Sequence, residues 1–305
     1  MQTEGAGKMK KKKIGLIDLY IDEWHACNYP RLIAESCFGA EFEVSFAWEE
    51  APAPGKRPLD AWCREYGVKA CASIEETVEK SDALFILSPT FPEHHERLAE
   101  RALQSGKGVF IDKPFCDTAA GTQRIFDLAD RCRTPVTGFS ALRFTPGLLA
   151  ELERWRTAPP RFAAARGGGE IRGFLNYGIH LVTMLQMCMG NGAQRVMQHF
   201  GRGSEADLMV IEYPDGRLAE LVRTPRLDFE LFGLAEEEFH VRNFDGFFEK
   251  SIEEILRFFL TGESPVKRED ILETIRIYEA GVAALDRPGE WVMLSGEGCM
   301  LRNSL

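Results

Sequence analysis

The chain has 305 residues, of which 45% are hydrophobic and 28% are charged, and its formal net charge is -10. This length favours two domains, and the negative charge repels polyphosphate backbones, so we expect a small polar ligand and no nucleic acid. Because no apolar run approaches the roughly 18 residues that cross a bilayer and no signal peptide opens the chain, we expect a cytoplasmic protein without membrane contact.

The first part of the chain alternates short apolar runs with helical patterns, which is typical of a parallel sheet with crossover helices. The basic run from Lys8 to Lys13 precedes them; we favour a solvated chain start over a nucleic-acid or membrane tail. Ser73 and Glu76 form a capping box, and Pro92 and Gly106 bracket another helix. The predicted strands are Ile14 to Leu19, Phe42 to Trp48, Ala83 to Leu87, Val109 to Ile111 and Val136 to Phe139. We therefore predict a doubly wound, Rossmann-like parallel sheet in a domain of residues 1–144.

Beyond residue 144 the pattern becomes that of an α+β domain. A helix is indicated from Leu148 to Arg156, and an almost uniformly apolar helix from about Gly178 to Met189 should be buried. Later elements are a hairpin of Leu208 to Tyr213 and Leu218 to Val222, strands at Phe229 to Phe232 and Phe239 to Val241, helices at Phe247 to Leu260 and Glu269 to Leu285, and a strand at Trp291 to Leu294. Residues 145–305 thus predict a mostly antiparallel open sheet with helices.

Cysteine usage argues against both a disulfide framework and a metal site. The eight cysteines include no C-x-x-C pair and do not cluster with the six histidines. We therefore expect no metal.

The segment SDALFILSPTFPEHHERLAERALQSGKGVFIDKPF, at 81–115, resembles the Gfo/Idh/MocA oxidoreductase family of glucose-fructose oxidoreductase and inositol dehydrogenase. In that family a strand, T-P, a histidine-led helix, A-G-K and E-K-P follow one another. Asp112-Lys113-Pro114 stands at E-K-P, and His95 lies eighteen residues before Lys113, as in the family. GFSALRFTP at 138–146 is similar to the strand ending in R-F-x-P, and Gly178-Ile179-His180 to G-x-H. The likeness spans nearly the whole chain.

The resemblance implies an NAD(P)-dependent oxidoreductase that transfers a hydride to or from a sugar, cyclitol or related polyol. It implies that Lys113 stabilises the negative charge that develops on the substrate oxygen. It also implies that His180 accepts the proton of the hydroxyl group. The alternative for Lys113 is a structural role, as a loop residue paired with Asp112. The alternative for His180 is that of a hydrogen-bonded residue in the core. Asn176, four residues before His180, replaces the family's aspartate. Its amide can orient the imidazole by a hydrogen bond but does not supply the negative charge that raises the basicity of the ring. Arg143 is a candidate for binding a substrate carboxylate or for pairing with an acidic neighbour.

The turn after the first strand departs from the dinucleotide fold, which normally reads G-x-G-x-x-G. Asp18-Leu19-Tyr20-Ile21-Asp22-Glu23 stands there instead, with bulk and negative charge where phosphates would lie, although the acids are also suited to capping and turn bonds. NAD binding is therefore disfavoured; if NAD binds, Glu49 or Glu50 would suit its ribose diol and oppose a 2'-phosphate. The cofactor-binding candidates are Asp18, Tyr20, Ile21, Glu49, Ser88, Pro89, Thr90, His95, Asp112 and Pro114, the last of these following a cis peptide bond in relatives.

Two functions stay open. The first is the polyol oxidoreductase, with Lys113, Arg143 and His180 at the substrate. The second is a binding or regulatory protein that holds a polar metabolite without redox turnover, which the missing glycines and Asn176 favour. The polar-aromatic cluster from Trp24 to Tyr29 suits a sugar site or helix packing equally. Relatives pair through the open sheet face, so we expect a homodimer or homotetramer through the C-terminal sheet.

Overall fold

The computed structural model describes residues 10–155, 160–168, 174–200, 207–224 and 228–294, apart from the side chains of residues 175 and 176. The first sheet contains β1 (Lys12–Asp18), β2 (Phe42–Glu49), β3 (Lys69–Ala70), β4 (Ala83–Ile86), β5 (Gly108–Ile111) and β6 (Val136–Thr137). The strands are parallel and lie in the order β3-β2-β1-β4-β5-β6. The predicted Rossmann-like sheet is confirmed, and the two-residue β3 adds an edge strand that was not predicted.

Five helices connect these strands: α1 (Trp24–Glu35), α2 (Leu59–Tyr66), α3 (Ile74–Lys80), α4 (His95–Leu103) and α5 (Ala119–Cys132). The predicted capping box begins α3, since the Ser73 hydroxyl accepts from the Glu76 N–H at 3.1 Å and the Glu76 carboxylate accepts from the Ala72 N–H at 2.6 Å. Shortly after α4, Gly106 takes a φ of +73°, as a chain reversal after a helix requires.

The second sheet contains β7 (Phe162–Gly167), β8 (Arg195–Phe200), β9 (Asp207–Glu212), β10 (Leu218–Arg223), β11 (Glu230–Leu234), β12 (Glu238–Val241) and β13 (Val292–Met293). Its order is β12-β11-β7-β10-β9-β8-β13, and its neighbouring strands are antiparallel except β7 and β10. The predicted β9–β10 hairpin is confirmed, and Gly216 in its turn has a φ of +83°.

The remaining helices are α6 (Pro146–Arg154), α7 (Ile179–Met189), α8 (Phe247–Thr261) and α9 (Arg268–Leu285). Helices α7 and α9 pack against one another and cover one face of the second sheet. As the apolar sequence predicts, α7 is buried nearly all round. Side chains along β9 alternate between buried and half-buried positions, so the other face of this sheet is open.

Helix α8 leaves the second sheet and packs on the first. Phe259 lies 5.3 Å from Phe85 of β4, and Phe248 lies 4.3 Å from Trp24 of α1, both measured between ring centroids. The helix also contacts the 3₁₀ turn of Ala141–Phe144. As a result, α8 forms one wall of the cleft at the carboxyl edge of the parallel sheet.

Among the described helices, none is long and apolar enough to cross a membrane. The described His, Cys, Asp and Glu side chains form no group of three or more that could hold a metal ion.

Candidate active site

A cavity of about 580 Å³ lies where β5 ends, which is the edge at which open parallel sheets bind ligands. Asp112 and Lys113 enter it directly after β5, His180 from the second position of α7 and His25 from the second position of α1. Its remaining lining is largely aromatic: Trp24, Tyr29, Phe110, Phe139, Tyr177, Phe229, Phe244, Phe247 and Phe248. The arrangement presents a few polar groups within apolar walls, as a site for one small molecule does.

Lys113 is buried, and the peptide bond to Pro114 is cis, as the resemblance implies. Burial lowers the pKa of Lys113, while the carboxylates of Asp112 and Glu23 act in the opposite direction. One oxygen of Asp112 accepts from the Lys113 N–H at 2.7 Å; the other is buried and has no hydrogen-bond partner in the described part of the chain. The lysine therefore faces the cavity beside a carboxylate that is only half satisfied.

His180 receives its orientation from a hydroxyl group. Its Nδ1 lies 2.7 Å from Oγ of Ser140, a neutral partner. Burial, together with the positive charges of Lys113 and His25, lowers the pKa of His180 well below the ordinary histidine value. The site therefore disfavours the charged form of this imidazole. The side chain of Asn176, predicted to orient it, lies outside the described residues.

His25 is held differently, by two carboxylates. Its Nδ1 lies 2.9 Å from Oε2 of Glu23 and 3.6 Å from Oδ2 of Asp112. Burial acts to lower the pKa of His25, but these two negative charges outweigh it, and the pKa is raised. The cavity therefore contains one histidine that favours the charged form and one that disfavours it.

The start of α1 is occupied by the chain's own carboxylate. Oε1 of Glu23 accepts from the Ala26 N–H at 2.5 Å, and Oε2 accepts from the His25 N–H at 2.8 Å. In a dinucleotide-binding domain these first N–H groups bind the pyrophosphate. Because Glu23 takes them and Ile21 fills the turn as a fully buried side chain, this turn does not fit a pyrophosphate in the usual position.

Asp18 and Tyr20, two further candidates of this turn, are bonded to neighbouring parts of the chain. Asp18 is fully buried, and its pKa is raised well above the usual value by burial and by Glu23. Its Oδ1 accepts from the Tyr20 N–H at 3.4 Å. Burial raises the pKa of Tyr20, whose hydroxyl is hydrogen-bonded to the side chain of Thr90.

Glu49, predicted to bind a ribose, has both carboxylate oxygens engaged. Oε2 accepts from the Ile21 N–H at 2.9 Å, and Oε1 accepts from the Leu59 N–H at 2.6 Å at the start of α2. Glu50 forms an ion pair with Arg97 of α4 at 2.6 Å. The pair connects the loop that follows β2 to helix α4.

The predicted cofactor residues after β4 support the lysine loop. His95 is fully buried, and its ring nitrogens lie 3.2 Å from the Ser88 carbonyl and 3.3 Å from the Phe115 carbonyl. Ser88 has a φ of +78°, a backbone conformation unusual for residues other than glycine. Pro89 and Pro114 are buried, whereas Thr90 is exposed. His95 thus connects the end of β4 to the segment that follows Lys113.

Arg143, predicted to bind substrate, lines a separate cavity of only about 20 Å³. Its guanidinium donates to Oε1 of Gln186 at 2.6 Å. Burial lowers the pKa of Arg143 to about 10.

The structure brings Lys113, His180 and Asp112 together, and it adds residues that the sequence did not indicate. Tyr177 and Phe229 line the cavity, as do Phe247 and Phe248 at the start of α8. The available sequence signal was the Phe-Phe pair at the start of the helix predicted from Phe247 to Leu260, but this pair does not indicate against which sheet the helix packs.

Comparison with known proteins connects this geometry to a family. Residues 41–137 match the model of the Gfo/Idh/MocA oxidoreductase family with an NAD-binding Rossmann fold. The match begins after the turn of residues 18–23. A stretch of 73 residues is 32% identical to the oxidoreductase YhhX of Escherichia coli and covers 24% of this chain and 21% of that protein. A stretch of 112 residues is 28% identical to the oxidoreductase C26H5.09c of Schizosaccharomyces pombe, covering 37% and 30%.

Solved structures match the fold over nearly the full length. The myo-inositol dehydrogenase of Lactobacillus casei, solved with NAD(H) and myo-inositol, superposes with a TM-score of 0.80 at 15% identity, covering 95% of this chain and 98% of that one. The scyllo-inositol dehydrogenase of the same organism, solved with NAD(H) and scyllo-inositol, gives a TM-score of 0.78 at 17% identity, covering 94% and 100%.

Proposed function

We propose that this chain, a member of the Gfo/Idh/MocA oxidoreductase family, binds a sugar, cyclitol or related polyol and acts as an oxidoreductase on one of its CH–OH groups. One observation carries the proposal: Lys113 and His180, the two positions that the resemblance connects with chemistry, line the same cavity. The inositol dehydrogenases solved with their cyclitols favour this substrate class.

The residues of the cavity suit this chemistry. The Lys113 ammonium binds the reacting hydroxyl, and its charge stabilises the oxygen as the proton leaves, more strongly in a buried site than in water. A histidine of the cavity takes that proton, a role that the resemblance gives to His180. The aromatic walls exclude water from the reacting group.

Two observations bear on the cofactor, and they point in opposite directions. The neighbours bind NAD(H), which favours a nicotinamide as the hydride acceptor. The Glu23 carboxylate at the start of α1 disfavours the pyrophosphate position of the family. We therefore assign no residue of the turn to a cofactor.

That same carboxylate favours a second candidate function, the binding of a polar metabolite without redox turnover. In this case the cavity recognises the ligand through Lys113 and His25. The turn of residues 18–23 then keeps its own side chains in place and binds no pyrophosphate. Family membership is compatible with it, since a fold does not fix an activity.

Three measurements on the purified protein separate the candidates: calorimetry with myo-inositol, fluorescence with NADH, and turnover of myo-inositol with NAD+ as the hydride acceptor. We expect Lys113→Met to lose polyol binding and Lys56→Ala, which alters an exposed lysine, to retain it. NADH binding with turnover supports the oxidoreductase. Polyol binding without NADH binding at millimolar concentration rules it out and supports the second candidate. A panel of polyols that all fail to bind rejects both.

A further inference from the structure

We infer that His25, and not His180, exchanges the proton with the hydroxyl group of the bound polyol, and that Glu23 and Asp112 position its ring. The inference rests on the proposed function, because it needs a polyol in the cavity. It adds a residue that lies within the first helix, before the stretch that matches the family model.

The ring of His25 is fixed in place from several sides. Its Nδ1 lies 2.9 Å from Oε2 of Glu23 and 3.6 Å from Oδ2 of Asp112. The rings of Trp24 and Tyr29 pack edge to face against it at 5.3 and 5.5 Å. Only 12% of the side chain is exposed, and His25 lines the cavity.

This arrangement leaves the second nitrogen of the ring for a ligand. Carboxylates at Nδ1 hold the proton of the neutral ring on that atom, which leaves the lone pair on Nε2. In the described part of the chain, hydrogen bonds engage Nδ1 of His25 and not its Nε2. Nε2 is therefore the basic atom that a ligand hydroxyl reaches from the cavity.

His180 lines the same cavity but has no carboxylate partner in the described part of the chain. Its Nδ1 contacts the Ser140 hydroxyl, which supplies no negative charge. A proton added to His180 would lie close to Lys113 and His25, whose positive charges oppose it. The ring suits a neutral hydrogen-bonding role that orients the polyol.

The proton transfer balances without a further reactant. The O–H bond of the polyol breaks, an N–H bond forms at Nε2 of His25, and the electron pair stays on the oxygen beside the Lys113 ammonium. The imidazolium is stabilised by Glu23 and Asp112 in the manner of a carboxylate–histidine pair. The charged and titratable groups around His25 and its carboxylates are Glu23, Tyr29, Asp112, Lys113, His180 and, beyond Glu23, Asp18. Asp228, Arg242 and Asp245 line other parts of the cavity.

Nuclear magnetic resonance of the full chain labelled with ¹⁵N-histidine tests the inference, with peaks assigned by single His→Gln variants. We expect His25 to titrate above the ordinary histidine value and His180 to stay neutral. Addition of myo-inositol should shift Nε2 of His25. Glu23→Gln, which keeps a hydrogen-bonding oxygen but removes the charge, should lower the pKa of His25.

Kinetics provide the second measurement. We expect His25→Gln to reduce kcat by roughly a hundredfold or more and to remove the corresponding limb of the pH profile, with KM changed little. His180→Gln should mainly raise KM, and the exposed His199→Gln should change neither. If the polyol binds or turns over but only His180 responds, the inference is wrong while the proposed function stands. If no polyol binds, both fail.

Discussion

The Glu23 carboxylate accepts a hydrogen bond of 2.5 Å from the backbone N–H of Ala26, and so occupies the helix start that a dinucleotide would need. Its negative charge interacts favourably with the dipole of α1, and it also holds Nδ1 of His25. One side chain therefore contributes both to the stability of the fold and to the exclusion of phosphate.

Replacing Glu23 separates these two effects. We expect Glu23→Ala to destabilise the protein by about 0.5–2 kcal/mol, the usual cost of losing a helix cap, and to strengthen NADH binding because the first N–H groups of α1 become free. Thermal unfolding and NADH fluorescence measure the two effects. Glu79→Ala, at an exposed position of α3, is the matched control. A variant that is destabilised but binds NADH no better would show that other residues of the turn exclude the nucleotide.

Asp22 and Arg57 predict a pH dependence of stability. Both oxygens of Asp22 accept from Arg57, whose guanidinium and backbone N–H both donate, and this lowers the pKa of Asp22 far below its usual range. A lowered folded-state pKa gives stability that is complete above the unfolded value near 4 and is lost as the pH falls towards the folded value.

We therefore expect Asp22→Asn to lose about 1 kcal/mol at pH 7, a modest value because 36% of the Arg57 side chain is exposed. The difference from the wild type should shrink between about pH 5 and pH 2, as urea unfolding at several pH values will measure. Asp286→Asn, at an exposed position after α9, should show neither effect. A difference that keeps its full pH 7 size as the pH falls to 2 would contradict the ion-pair explanation.

Periodicity predicted much of the fold because buried parallel strands read as apolar runs and the β9–β10 hairpin has a specific turn. β7 was missed, since its sequence FAAARG has low β propensity and precedes a glycine. Ala163 and Ala165 are nevertheless fully buried in it, beneath α7. In this case tertiary packing, which a local pattern does not contain, selects the strand.

The site was predictable to the extent that it lies in local motifs. Two tripeptides are recognisable from the sequence by themselves, namely Asp112-Lys113-Pro114 and Gly178-Ile179-His180. His25, in contrast, belongs to a cluster that suits a sugar site and helix packing equally well. The role that we infer for His25 depends on Asp112, which lies 87 residues away in the sequence. Likewise, the aromatic wall of α8 depends on the return of that helix to the first sheet.

The buried ion pair of Arg223 and Asp207 joins β10 to β9 at directly opposed positions. Their side chains are only 2% and 4% exposed, so removal of the arginine leaves a carboxylate inside the protein. We expect Arg223→Met to cost about 3–5 kcal/mol in the free energy of unfolding. Denaturant titration measures this cost. The control is Arg31→Met, which removes an exposed ion pair with Glu35 and should lower the free energy of unfolding by about 0.5 kcal/mol or less.

The double variant Arg223→Met with Asp207→Leu tests the cause. Since it removes both buried charges, it should recover most of the lost stability. A double variant as unstable as the single one would show that packing of the arginine over Phe174, where the guanidinium lies 5.3 Å from the ring centroid, is the larger contribution.

The open face of the second sheet predicts self-association. Leu208 and Val210 of β9 and Val222 of β10 point to the face that α7 and α9 leave uncovered, and each is half-buried in the single chain. Partly exposed apolar side chains on such a face are typical of a protein interface. We expect a dimer or tetramer in light scattering after size exclusion, and a monomer for Val210→Arg, because an interface on this face would have to bury a long charged side chain. Glu79→Arg places the same charge on α3 and should leave the mass unchanged, so a wild-type monomer, or a Val210→Arg protein of wild-type mass, would exclude this face as the interface.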